Sequence, residues 1–204
     1  GCFVNYDLQA IEFLEQLIQS KIDTHLDTYR ALKVSLGRRP TASEFYLAGG
    51  SFPEIRREYG SWIQLLLNEN DLDSNTENVA KLNHDFLKEL EVTSLEKSFK
   101  LVLIETFLDL NGFSEPPEVT TLSVRSWHTL KRRHQFTSDL PEAFLTSISD
   151  DAKSEKAWIS YWKGNPVRAW LGRNSAKRPR FFALDGSRFA FQHAVETNDT
   201  EALT

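Results

Sequence analysis

Apolar residues near the start of the chain recur every three to four positions. Leu8, Ile11, Phe13, Leu14, Leu17, Ile18, Ile22 and Leu26 form one stripe, which predicts an amphipathic helix over 7–27. The pattern then resets. A second helix is predicted over Asp27–Leu36, stopping at Gly37, where glycine suits a left-handed C-terminal cap. Thr41 followed by Glu44 has the spacing of a capping box and opens a short helix to about Leu47, which Gly49-Gly50 breaks. Ser51, with Pro53 and Glu54 behind it, starts a helix to Tyr59. After Gly60, Ser61 caps a further helix carrying Trp62, Ile63, Leu65, Leu66 and Leu67.

The polar stretch Asp71–Asn78 reads as a linker, so the sequence predicts one domain over 1–73 and another over 74–197, with a disordered tail at 198–204. In the second domain helices are predicted at 76–92, 95–111, 139–148, 152–163 and 165–171. Another starts at Thr121 or Ser123 and carries Val124, Trp127 and Leu130. Arg180-Phe181-Phe182-Ala183-Leu184 and Ser187-Arg188-Phe189-Ala190-Phe191 flank Asp185-Gly186, the pattern of a β-hairpin. The predicted fold is mainly α: two small helical domains, the first helix-turn-helix-like, the second winged-helix-like with a C-terminal hairpin.

With 40% hydrophobic and 12% aromatic residues, each half can bury a core. The longest apolar runs, such as Leu101-Val102-Leu103-Ile104, are too short to span a bilayer, and no membrane partner is expected. A single cysteine, Cys2, and the lack of a secretory pattern predict a cytoplasmic location. A chain that begins Gly-Cys and contains no methionine reads as a piece of a longer protein.

Charge is unevenly spread. Asn68–Glu96 carries eight acidic residues against Lys81 and Lys88, and Ala152–Phe191 carries nine basic ones against Glu155 and Asp185. The second stretch therefore suits phosphates better than the net charge of −5 suggests.

The run Leu36-Gly37-Arg38-Arg39-Pro40-Thr41-Ala42-Ser43-Glu44-Phe45, leading to Arg57-Glu58-Tyr59-Gly60-Ser61-Trp62, resembles the homing-endonuclease-associated repeat over about 29–72. That resemblance implies a small helix-turn-helix module that accompanies nucleases and helicases and docks on DNA. The residues fit such a role: Pro53–Tyr59 stands second in the pair, the position that enters a major groove. Arg56 and Arg57 can reach phosphates or guanine edges, Ser51 can meet a phosphate at the helix start, and Arg38 and Arg39 flank the preceding turn. Alternatively, some of these arginines pair with Glu44, Glu54 and Glu58 as surface salt bridges. Trp62 and Phe45 are read as core.

Lys97-Ser98-Phe99-Lys100, Asn165-Pro166-Val167-Arg168-Ala169-Trp170 and the Phe-Phe-x-x-Asp-Gly hairpin resemble, in order, the tail of bacterial superfamily 2 helicase-like proteins of DNA repair and phage defence. Around the hairpin, Lys177, Arg178, Arg180 and Arg188, with Arg125, Lys131, Arg132 and Arg133 upstream, form a candidate track for a backbone if the two groups share a face. Trp127, Trp158, Trp162 and Trp170 are read as core.

Chemistry of its own is not expected. The chain has no phosphate-binding G-x-x-x-x-G-K-[ST] loop, its five histidines lack zinc spacing, and Asp150, Asp151 and Glu155 fall at a helix start, where carboxylates oppose the dipole. The reading is a non-catalytic accessory region without cofactor or metal. Its expected partners are nucleic acid, chiefly double-stranded DNA, and a helicase motor or nuclease domain in the same parent chain. The alternative is a protein–protein adaptor, which the acidic stretch would serve.

Overall fold

Four short helices of the first half start where the side chain of Thr41, Ser51, Ser61 or Asp73 caps them. In the computed structural model, which describes residues 25–93, 95–145, 152–172 and 180–192, a helix over 25–36 (α1) runs without a break at Asp27 and ends at Gly37, φ +64°. The predicted boundary at 27 is thus inside a helix, and the rest of the 7–27 stripe lies outside the described residues. α2 (Ala42–Leu47) opens on the predicted capping box, with both reciprocal bonds of Thr41 and Glu44 formed. α3 (Phe52–Tyr59) is capped by the Ser51 hydroxyl and α4 (Trp62–Asn68) by Ser61. Tyr29, Phe45, Ile55, Leu65 and Leu66 close a core between these helices, and Phe52 and Trp62 pack their rings against Phe45 at 5.7 and 5.1 Å. A domain this small depends on large aromatic faces for its buried area.

The domain boundary differs from the sequence expectation. The chain divides into Gly1–Val92 and Thr93–Thr204, not at 73/74. The predicted helix at 76–92 is two helices, α5 (Ser74–Leu82) and α6 (His84–Val92), interrupted at the buried Asn83. Both belong to the first unit. Ala80 and Leu87 complete its core, and Glu91 accepts the Trp62 and Ile63 amides at 2.8 and 3.2 Å. Asp71–Asn78 looked like a linker because it is polar; in fact Asp73 caps α5, and the buried Leu72 holds the segment down.

The second unit is built on α7 (Phe99–Asp109) and α8 (Val119–Arg132), followed by α9 (Ala152–Trp162), a π-helical turn (Lys163–Val167), the single turn α10 (Arg168–Trp170), and the strands β1 (Phe182–Asp185) and β2 (Arg188–Phe191). The Asn165–Pro166 peptide is cis. The fold is therefore mainly helical with a two-stranded antiparallel hairpin near its end. Three expectations fail locally. Of the helix expected at 165–171 only the turn α10 is α-helical, after a π-helical turn in which Asn165 leaves helical geometry. α8 starts at Val119, ahead of Thr121. Where a helix was expected at 139–148, the described part forms 3-10 turns, His134–Asp139 and Glu142–Phe144, because Pro141 interrupts the run.

Candidate nucleic-acid interface

The first unit's arginines sort into two kinds. Arg38 makes a forked contact with Glu44, 3.0 Å to Oε2 and 2.6 Å to Oε1, on the same carboxylate that completes the capping box. The Arg38 guanidinium and then the Thr41 amide hold the Glu44 carboxyl down to about 2. Arg57 pairs with Glu54, one helical turn back, and lies 3.6 Å from Glu58. The Ser51 hydroxyl accepts the Glu54 amide at 3.5 Å and is committed to capping. Arg39 and Arg56, by contrast, form no ion pair or side-chain hydrogen bond among the described residues.

The same sorting applies in the second unit. Arg133 pairs with Glu105 and lies over the Phe136 ring, and Arg132 reaches Asp109 at 3.8 Å and the Thr129 hydroxyl at 3.4 Å. Arg188 lies 3.4 Å from Glu118. Arg180 is exposed, its stem crossing Gly172, and has no charged partner among the described residues. Lys177 and Arg178 lie outside the described residues, as do Asp150 and Asp151.

The hairpin is anchored rather than free-standing. Phe182 and Phe189 stack at 4.6 Å and are buried against Phe107. The Val119 amide donates to Ser187 O, and the Phe189 amide to Pro117 O, both at 2.9 Å. These bonds hold the Gly186–Ser187 turn at the start of α8.

Trp127, Trp158, Trp162 and Trp170 are all buried, as expected of core residues. The three segments behind the helicase-tail resemblance meet in that core. Phe99 packs on Trp162 at 5.2 Å, the Trp170 indole N–H donates to Lys100 O at 3.2 Å, and Trp170 meets Phe182 at 5.7 Å. Ser98 and Lys97 are held by Asp139. Its carboxylate accepts the Ser98 amide at 2.8 Å and stays below its ordinary range through that residue, and its carbonyl accepts Lys97 Nζ at 2.9 Å.

Sequence reasoning did not single out Lys163 or Arg168. They line a cavity of about 370 Å³ with Val119, Thr120, Val167 and Leu184. A second cavity, about 480 Å³, shares Thr120 and is lined by Arg125, His128, Glu155 and Ile159. The available signal was the spacing Thr120, Thr121, Val124, Arg125, His128 along one face of a helix.

Among the described residues no three His, Cys, Asp or Glu side chains converge as a metal site, and no helix is long and apolar enough to cross a membrane. Compared with models of known families, with curated proteins and with solved structures, the chain matches none.

Proposed function

We propose that this chain is a non-catalytic, nucleic-acid-binding accessory region of a larger helicase- or nuclease-type protein, docking on duplex DNA through its first unit. The observation that carries this reading is the pair Arg39 and Arg56. They stand at the turn before α2 and within α3, uncompensated in a unit whose acidic residues neutralise Arg38 and Arg57. A cation left without an internal partner retains its charge for a phosphate. The resemblance to the homing-endonuclease-associated repeat supports the same role for α2 and α3. Arg38 and Arg57 then act by bracing the caps and helix that present the other two.

Titration of a fluorescein-labelled DNA duplex by anisotropy at two salt concentrations tests this. Arg39→Ala/Arg56→Ala should weaken binding about tenfold in low salt and reduce the salt slope by about two, the value for two lost phosphate contacts. Negligible binding in low salt, or an unchanged slope in the double variant, overturns the reading.

The adaptor alternative is favoured by Val34, Leu47 and Tyr46, which are 83%, 82% and 65% exposed on α1 and α2. It becomes the better reading if the duplex does not bind and Val34→Ser/Leu47→Ser abolishes association with a partner protein.

A further inference from the structure

The two cavities that meet at Thr120 make a second feature, independent of Arg39 and Arg56. The first has Val119, Val167, Leu171 and Leu184 in its lining, together with Lys163 and Arg168. Neither cation forms an ion pair or side-chain hydrogen bond among the described residues, and both are exposed. An apolar part of the lining beside two cations without internal partners suits a ligand with a flat apolar part and a negative part. The volume, about 370 Å³, is at the low end of small-ligand sites and suits a group of nucleobase size.

The second cavity extends the same face of α8 to His128, a helical rise of roughly 12 Å from Thr120. Arg125, also without an internal partner among the described residues, stands along it. Its Glu155 disfavours a phosphate at that wall and offers an acceptor for an exocyclic amine. Positive charge therefore recurs along an open groove, with an apolar recess at one end. That arrangement fits an extended polyanion bearing bases better than a compact anion.

We propose that the second unit binds single-stranded nucleic acid in this groove, with one base seated between the start of α8 and the hairpin turn and its flanking phosphates on Lys163, Arg168 and Arg125. This site does not depend on the duplex-docking role of the first unit.

The test is anisotropy of the whole chain with a short fluorescein-labelled oligothymidylate, run beside the DNA duplex. Lys163→Ala/Arg168→Ala, exposed changes that leave the core intact, should weaken strand binding about tenfold and flatten its salt dependence by one to two contacts. Thr120→Trp fills the recess without removing a cation and should reduce strand binding by a similar factor. Duplex binding should persist in both variants and respond to Arg39→Ala/Arg56→Ala instead, so each site can fail without the other. The proposal is overturned if either variant binds the oligonucleotide as the parent does, if Arg39→Ala/Arg56→Ala alone removes strand binding, or if oligoglutamate of equal charge competes as well as unlabelled strand.

Discussion

At the residue scale, adjacent arginines behave differently: of Arg38 and Arg39, and of Arg56 and Arg57, only Arg38 and Arg57 are ion-paired among the described residues. The Arg57–Glu54 contact was legible, since three residues on a helix place the two side chains on neighbouring turns. The Arg38–Glu44 fork was less so. It spans six residues across a helix start, and depends on the capping box having already fixed the carboxylate. That box gives a pH signature. The Glu44 carboxyl titrates at about 2 in the folded chain against an ordinary value of 4.5. Because the folded value is the lower, Glu44 stabilises the fold above the ordinary value and loses that contribution as pH falls from 4.5 toward 2. Carboxyl chemical shifts followed by NMR should show the low midpoint, and Arg38→Ala should move it up toward the ordinary value. A midpoint left near 2 in that variant would assign the effect to Thr41 alone.

Among the elements, the helices with strong start signals were placed well and the breaks between them were not. Thr41, Ser51 and Ser61 each cap as their spacing implied, because a cap is a local bond. The interruption at the buried Asn83 depends on what packs beneath it, which local pattern does not carry, whereas Pro141 was a local stop signal within the span read as helix. Gly50 illustrates the difference. It reads as a helix breaker, yet its main constraint is contact: a Cβ there would lie 2.3 Å from the Phe45 ring. Gly50→Ala should therefore cost about 1–3 kcal/mol in urea unfolding, as overpacking does. Glu91 offers a matching test on α4. Replacing it with alanine leaves the Trp62 and Ile63 amides without their carboxylate and should lower stability by about 0.5–2 kcal/mol. Equal stability of parent and variant would mean that water replaces the cap without loss.

For the whole molecule, the mainly helical class and the terminal hairpin could be read directly, whereas the boundary between units could not. Polar composition pointed to 71–78, but the division follows burial, and Ala80, Leu87 and Glu91 attach α5 and α6 to the helices before them. A chain ended at residue 73 should thus melt well below one ended at 92, as helical circular dichroism on heating would report; indistinguishable curves would return the boundary to the polar stretch. In the second unit Trp170→Ala should cost about 3–5 kcal/mol, since it removes a buried indole and its bond to Lys100 O. The convergence of Phe99, Trp162, Trp170 and Phe182 has a wider consequence. A change at any of these four residues disturbs the interior of the unit before it alters the surface. Pro166, Val167 and Trp170 face inward, while Lys163 and Arg168 on the same short segment face solvent. Substitution at those two positions can therefore change the surface charge of the segment while the packing beneath it is kept.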